Sequence, residues 1–552
     1  MTRSLHGYNK LNRKNRSIKV SKKGHADLFS AWLPLYSLVD DWIGRLIFLA
    51  WIAGLWLVNT ALLIIIAVRE VRRPAKALTW ISVGLVLPII GFVCYLFVTN
   101  PVQMRRDKLV SSHNNPIALP PACGDSAFVI ARALQPLSVS GLRTGYVQIL
   151  TNGMETYGKL LQSIQAAQKT IDLEYYIYRN DHIGKRITDV LIDRALSGVN
   201  IRFIRDGWGS RSFPKHAVRR MMEAGIECRT IFPLRFPWVL SNLTYRDHCK
   251  IVIVDGKEAF MGGINVGDEY TGMKPDVDFW RDTHMRLTGE TADDVKAVFE
   301  AHWKMASPDM LHSTRKAKFL PESAQLSDDK AIHPFPSGKT ERGYGWEWGS
   351  ELGTMEGTHM GKASPSKDSH NVYIQIFEGN PGLPTPVIRE MHFICLTQAT
   401  RTIDVTNPYF IPDADIIMAI KTAAARGVRV RLLVPRQVIP KVAGGASRTY
   451  YGELVEAGIN VFQYNKGVLH AKVMIIDGEI AEVGSSNYDL RSYRLNYEVC
   501  AVMYHSDVAR ELTEQFERDL AEATPYRLED HMHRTSSERM LDQAARLLSP
   551  LL

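Results

Sequence analysis

Paired cysteines are missing from this sequence. Its six cysteines (94, 123, 228, 249, 395 and 500) follow no recurring spacing. That excludes a disulfide framework and the usual zinc-ligand spacings, and it fits a reducing compartment. Charge is missing from two long stretches, the 23 residues 46–68 and the 21 residues 78–98. Each is long enough for a helix across a hydrocarbon core, which takes about 20 residues. The first starts too late and runs too long for a cleaved secretory signal. Positive charge is scarce where a nucleic-acid binder would need it. The net charge is +9, but residues 1–45 alone hold nine Lys/Arg against Asp27, Asp40 and Asp41, which leaves only +3 for the other 507 residues. This argues against a nucleic-acid partner. A basic arm beside a membrane segment suits anionic lipid headgroups, with a solvated tail as the bland alternative.

Present instead is a layout of six segments. Residues 1–43 form the basic arm, in which Trp32, Leu33, Leu35, Tyr36 and Leu38 make a stripe suited to a membrane interface or to a simple helix extension. Residues 44–98 are expected to form a two-helix transmembrane hairpin, turned by a short link that carries Arg69, Arg72, Arg73 and Lys76. Pro88 and Gly91 are tolerable inside such a helix. Counting the tail and Arg105, Arg106 and Lys108 against the link, the excess of positive charge puts the catalytic part in the cytoplasm. Residues 99–145, with Pro116, Pro120, Pro121 and Gly124, read as a polar connector. Residues 146–312 and 371–552 alternate strand-like and helix-like stretches. Between them 313–370 is rich in Gly, Ser, Lys and His and reads as a linker, or as a lid anchored by Trp346 and Trp348.

The two alternating segments repeat each other. His248-Cys249-Lys250 is followed by Asp255-Gly256 and then Gly262-Gly263-Ile264-Asn265. His470-Ala471-Lys472 is followed by Asp477-Gly478 and then Gly484-Ser485-Ser486-Asn487. In both copies the Asn stands 17 residues after the His. One His-x-Lys-x4-Asp arises easily by chance, but two with the same sequel do not. Matching features lie at offsets of 232 (Ile171 and Ile403), 229 (Gly198 and Gly427), 233 (Gly225 and Gly458) and 222 (the histidines). A near-constant offset over about 100 residues indicates a duplicated α/β unit, each copy a mixed sheet flanked by helices.

The motifs suit transfer at a phosphodiester. On a strand, residues two apart share a face, so each copy sets an imidazole beside an ammonium group while Cys249 or Ala471 points away. Two such faces together would supply His248, Lys250, His470 and Lys472, with Asn265 and Asn487 as amide donors to substrate. Lysines and amides neutralise the non-bridging oxygens, one imidazole attacks phosphorus, and the other protonates the leaving alkoxide. The lysines carry the charge, so this chemistry calls for neither metal nor cofactor. Each histidine needs a carboxylate on its other ring nitrogen. Asp282 follows the first motif and Glu498 the second, each the candidate for its own copy. Gly263 and Ser485, in the turns before the asparagines, are expected to support the site. Asp255 and Asp477 complete the motif and count among the catalytic set, although an Asp-Gly turn suits a structural role better. His284 is a weaker candidate, and Tyr175, Tyr176 and Tyr409 suit pocket lining or core.

On these residues the chain resembles the phospholipase D superfamily, and within it the bacterial cardiolipin synthases. The resemblance extends to Gly267-Asp268-Glu269-Tyr270, Trp280-Arg281-Asp282-Thr283-His284, Pro408-Tyr409-Phe410-Ile411-Pro412, Arg491-Ser492 and the terminal Arg546–Leu552 stretch. It implies two phospholipase D-type α/β halves that pack to share one active site behind a transmembrane hairpin. It also implies a two-step transfer between phosphatidylglycerol molecules at a multi-pass bacterial inner-membrane protein, with oligomers allowed. By this analogy His248 is the nucleophile and His470 the acid/base. Hydrolysis to phosphatidic acid, a phosphatidylethanolamine donor, and a lapsed enzyme kept as a scaffold are the alternatives. The chain departs from the pattern in the 313–370 insert, in residues 377–386 and at Asn407, where Thr is common.

Overall fold

The computed structural model describes residues 42–71, 74–99, 124–234, 244–272, 279–308, 370–438 and 440–547. The basic arm with its aromatic stripe, Arg72 and Arg73, the proline-rich start of the connector and the insert with Trp346 and Trp348 lie outside the described residues. The chain divides into two compact units, one before and one after residue 100.

In the first unit, Trp42–Arg69 is one continuous helix, and its stretch Gly44–Arg69 is long and apolar enough to cross a membrane. Leu46, Phe48, Leu49, Trp51 and Leu57 are exposed along it, as lipid-facing side chains would be. The expected second uninterrupted span is not formed. Residues 78–98 are divided between helices Pro74–Val86 and Ile90–Thr99. Pro88 has no N–H to continue the ladder, and Ile89 takes φ +64°. Asn59 of the long helix heals this break: its Nδ2 donates to Gly84 O (3.1 Å) and its Oδ1 accepts from Ile89 N (3.1 Å). The buried amide of Asn59 is therefore the clamp of this unit.

In the second unit two sheets repeat one order. The first half runs Glu227–Ile231, Asn200–Asp206, Thr170–Tyr175, Lys250–Val254, Glu258–Gly262, Thr283–Gly289, Arg143–Thr151. The second runs Asn460–Tyr464, Arg429–Pro435, Thr402–Thr406, Val473–Ile476, Ile480–Gly484, Asn496–Tyr504, His370–Gly379. In each half the first three strands are parallel to one another and the rest antiparallel. Arg143–Thr151 and His370–Gly379 then pair with each other, Arg143 opposite Ile374, so the halves form one mixed sheet. The parallel strands carry apolar residues on both faces (Ile201, Phe203 and Ile204; Val430, Leu432 and Leu433), as a sheet covered on both sides requires. Each fully buried Ile, Leu or Val contributes about 1.5–3 kcal/mol over exposure.

The duplication reaches the side-chain networks. Arg202 binds Asp172 with two nitrogens (2.6 and 2.9 Å) and reaches Glu300, while Arg431 does the same with Asp404 (2.6 and 2.8 Å) and Glu517. Glu300 and Glu517 mark matching turns of the helices Glu290–Met305 and Ser506–Ala521, which cover one face of the joined sheet. The end of the supposed polar connector is different in kind. Asp125–Leu134 is a helix that buries Ala127, Ile130, Ala131 and Leu134 in the second half's core, at helical spacing that the breakers just before it obscured.

Asp255 and Asp477, counted with the catalytic set, are structural. Both take left-handed φ (+52° and +56°) at the end of their motif strand. The Asp255 carboxylate accepts from the N–H groups of Gln168, Lys169 and Thr170, and that of Asp477 from Thr400, Arg401 and Thr402. Each fastens the motif strand to the start of its neighbour. Burial works to raise both acids, but the amides outweigh it and hold them below the usual carboxylate value. Their contribution to stability is therefore full above the unfolded value of about 3.9 and is lost as pH falls through the lower folded value. Asp477→Ala is expected to cost about 2–3 kcal/mol at neutral pH. Denaturant titration should show that gap closing as the pH is lowered below about 4.

Candidate active site

Each motif reaches its place by pairing with the other half. Arg246–Asp247 lies parallel to Asn496–Tyr497 of the second half, and Gly467–Leu469 lies parallel to Phe279–Arg281 of the first. His248 N donates to Tyr497 O (2.9 Å) and His470 N to Arg281 O (2.7 Å). The residue after each carbonyl is an acid, Glu498 or Asp282. The histidine–acid pairs are consequently crossed. His248 Nδ1 meets Glu498 (2.9 and 3.0 Å), and His470 Nδ1 meets Asp282 Oδ2 (2.7 Å). This corrects the expectation that each acid serves its own copy. Sequence order points to the near partner, and only the two parallel strand pairings show the exchange.

The four motif side chains are within electrostatic reach of one another across the halves. Burial first, then Lys250, Lys472 and Arg491, push His248 well below 6.5. Burial and Lys472 bring His470 down to about 4 against the opposing charge of Asp282. Both imidazoles are therefore neutral at pH 7. Burial, with repulsion from Lys250, lowers Lys472 to about 7 although Asp282 pulls the other way, and burial lowers Lys250 too. Lys250 Nζ donates to His248 O (2.6 Å), and Lys472 Nζ donates to His470 O. Two buried ammonium groups facing each other are destabilised until an anion comes between them, which is the electrostatic condition for a phosphate site.

The two acids differ. Asp282 resists burial because His470 and Lys472 face it and Thr283 N donates to it (2.8 Å), so it is held well below the usual range. Burial lifts Glu498 to about 7, even though Lys250 and hydrogen bonds from Ser485, Ser492 (2.8 Å) and Asn496 (3.1 Å) work against it. Gly263 and Ser485 account for the difference in length. A Cβ on Gly263 would lie 2.1 Å from Asp282 Oδ1, whereas Ser485 supplies a hydroxyl to the longer Glu498. Gly263→Ala must displace Asp282. It is expected to lower kcat about 10²-fold with little change in KM, measured in steady state on dispersed lipid.

The remaining expected residues fall in the walls. Asn265 spends its side chain inside the first half: Oδ1 accepts from Ile177 N (3.1 Å) and Nδ2 donates to Tyr270 OH (2.9 Å). Asn487 leans on Asp489, and its buried Oδ1 finds no hydrogen-bond partner among the described residues. The Asn265 contact is taken over in the second half by Asn407, whose Oδ1 accepts from Tyr409 N (3.2 Å) and Tyr488 N (3.1 Å). Neither motif asparagine is thus placed as the amide donor to substrate that its spacing suggested. His284 is a core residue, pushed by burial to about 3. Tyr176 lies edge-on to His248 (5.1 Å) and Trp280 lies against His470 (5.4 Å), so one aromatic ring flanks each histidine. Tyr175 belongs to the first half's core. Sequence reasoning missed the service of Ser492 and Asn496 to Glu498, which a two-residue strand alternation around 498 would have raised for Asn496.

The sequence matches the model of a family described as cardiolipin synthase, PLD-like domain, over residues 160–303 and 393–520. A cardiolipin synthase of Geobacillus sp. (strain WCH70) is 33% identical over 529 residues, covering 93% of this chain and 96% of that protein. Cardiolipin synthase of Geobacillus thermodenitrificans (strain NG80-2) is 34% identical over 496 residues (88% and 90%). Cardiolipin synthase 2 of Bacillus anthracis is 33% identical over 506 residues (88% of each). Among solved structures, the phosphatidylserine synthase of Haemophilus influenzae Rd KW20 superposes with a TM-score of 0.53 at 14% identity, over 77% of this chain and 100% of that one, a likeness of fold.

Proposed function

Because the chain belongs to the cardiolipin synthase family of phospholipase D-like proteins, we propose that it transfers a phosphatidyl group between two phosphatidylglycerol molecules, giving cardiolipin and glycerol. The observation that carries this reading is the pair of crossed histidine–acid contacts around two facing lysines. With each Nδ1 held by a carboxylate, each Nε2 is left for chemistry, one to attack and one to move a proton.

His248 Nε2 attacks phosphorus, forming a P–N bond as the P–O bond to glycerol breaks. His470, which takes up a proton from water as the phosphodiester anion seats beside the lysines, gives that proton to the departing alkoxide. In the second step the neutral His470 takes the proton from a hydroxyl of another phosphatidylglycerol, whose oxygen attacks phosphorus and releases His248. One phosphodiester replaces another, so neither step consumes an outside reactant. Lys250 and Lys472 bind the non-bridging oxygens as charge builds on them. The order of the histidines is supported by the acids: fully ionised Asp282 stabilises a protonated His470 better than Glu498, lifted to about 7 and so only partly ionised, stabilises a protonated His248. Purified protein in phosphatidylglycerol vesicles is expected to yield cardiolipin and glycerol in equal amounts by mass spectrometry. Phosphatidic acid in place of cardiolipin would make water the acceptor and overturn the transfer.

The N-terminal unit associates with the membrane through its apolar helix. As a finer reading, the broken second run completes a hairpin that returns the chain to the cytoplasmic side, with Asn59 closing the break at Pro88. Asn59→Leu leaves Gly84 O and Ile89 N–H unpaired in an apolar setting, a cost of about 1–3 kcal/mol for each. It is expected to expose the hairpin to added protease in membrane vesicles, where wild type stays protected.

A further inference from the structure

Behind the reacting face, four buried side chains from separate segments converge: Glu174, Asp247, Cys249 and His302. Each offers a ligand atom, and these atoms lie within 4.8 Å of one another. Asp247 and Cys249 flank His248 where the chain passes from Arg246–Asp247 to Lys250–Val254. Glu174 comes from Thr170–Tyr175 and His302 from Glu290–Met305. All four are essentially inaccessible to solvent.

Ordinary packing satisfies this cluster only in part: Glu174 Oε1 meets His302 Nδ1 (2.5 Å) and Asp247 Oδ1 accepts from Cys249 N (3.2 Å). Glu174 Oε2 and Asp247 Oδ2 are buried without a hydrogen-bond partner. Among the described residues neither carboxylate bonds to an arginine or lysine side chain. The duplication supplies the comparison. The offsets of the motif (222), of the first strand (232) and of the Glu300/Glu517 helices (217) place Leu469, Ala471, Thr406 and Asp519 at the matching positions. There a single acid, Asp519, is neutralised by Arg281 (2.8 Å). The first half has exchanged three neutral residues for two acids and a thiol, and in place of the matching acid holds an imidazole.

We propose that Glu174, Asp247, Cys249 and His302 form a binding site for one divalent transition-metal cation, zinc above all, which braces the segment that carries His248. One nitrogen, one sulfur and two oxygens suit tetrahedral zinc, whereas magnesium and calcium avoid thiolate. Zinc bonds of about 2.0–2.3 Å set ligand atoms about 3.4–3.8 Å apart, so the widest pairs in the cluster, up to 4.8 Å, need to close by about 1.0–1.4 Å. His302 is already oriented for the task. Its Nδ1 faces Glu174 while its Nε2 lies 3.3 Å from Glu378 Oε1, the carboxylate–histidine support usual behind a metal ligand. Binding converts the Cys249 thiol to thiolate and releases its proton. Because Glu378 belongs to the second half, and Tyr497 packs edge-on against His302 (5.1 Å) while its carbonyl holds His248 N–H, the cation ties the halves together beneath the site.

The test uses full-length protein purified in detergent, without chelator, from zinc-supplemented cells. Elemental analysis is expected to find about one zinc per chain, and a strong chelator is expected to lower Tm by several degrees, with zinc restoring it. Cys249→Ala, which copies Ala471 of the matching strand, and Glu174→Gln are each expected to reduce zinc at least about tenfold. Cobalt-loaded wild type should show a thiolate charge-transfer band in the near ultraviolet that Cys249→Ala lacks. Wild type with under about a tenth of an equivalent of zinc, and a Tm indifferent to chelator and zinc, overturns the proposal. Zinc retained in both variants overturns it as well.

Discussion

His248→Ala is expected to lower phosphatidyl transfer by at least about 10³-fold and to abolish any enzyme-bound phosphatidyl group, while His470→Ala lowers the rate comparably without removing the attacking nitrogen. A loss of that size is about 4 kcal/mol of transition-state stabilisation, more than the burial or packing of one polar side chain supplies. The neutral state of His248 at pH 7, forced by burial and three nearby cations, leaves its lone pair ready for attack. His470 lacks that role but carries the leaving group's proton. A donor that leaves without one, such as a phosphatidyl ester of nitrophenol, should therefore separate the two. With it, His470→Ala is expected to form the covalent species in the first turnover and His248→Ala is not. Burst amplitude after rapid mixing is the readout. Equal loss in both variants with this donor would contradict the division of labour.

Asp282→Asn and Glu498→Gln are expected to lower kcat about 10²-fold or more, each through the histidine of the opposite half. The pH profiles should differ by sign. Asp282 raises the proton affinity of His470, so its loss leaves less protonated His470 and the defect grows as pH rises. Glu498 itself titrates at about 7, so Glu498→Gln removes a transition near that pH from the wild-type profile. A double mutant of Glu498→Gln with His248→Ala should be no slower than His248→Ala alone, whereas Glu498→Gln with His470→Ala should be slower than either. If the acids instead coupled within their own halves, those two results would exchange.

Much of this was legible in the chain because duplication turns a weak motif into a strong one. The strand alternation around His248 and His470 foretold which side chains share a face, and the constant offset foretold the repeated sheet. The crossed acids were not legible, since the strand pairings that make them join segments about 190 to 250 residues apart. Asn265 and Asn487 misled because a glycine turn before an amide reads as a presented donor, while the fold turns Asn265 onto Ile177 and Tyr270 and Asn487 onto Asp489. Pro88 was read as tolerable within one span, and neither the break there nor its clamp was legible, because Asn59 sits one helix away. The cation cluster draws on positions 174, 247, 249 and 302, a spacing that resembles no ligand motif.

In the proposed transfer one phosphatidyl group passes through His248 in a site that both halves build. Its most direct test is rapid alkaline quenching of wild type turning over phosphatidylglycerol, with the digest read by mass spectrometry. The account predicts a phosphatidyl adduct on the peptide containing His248, present in steady state and absent from His248→Ala. An adduct on the His470 peptide, or none while cardiolipin is being made, would contradict it.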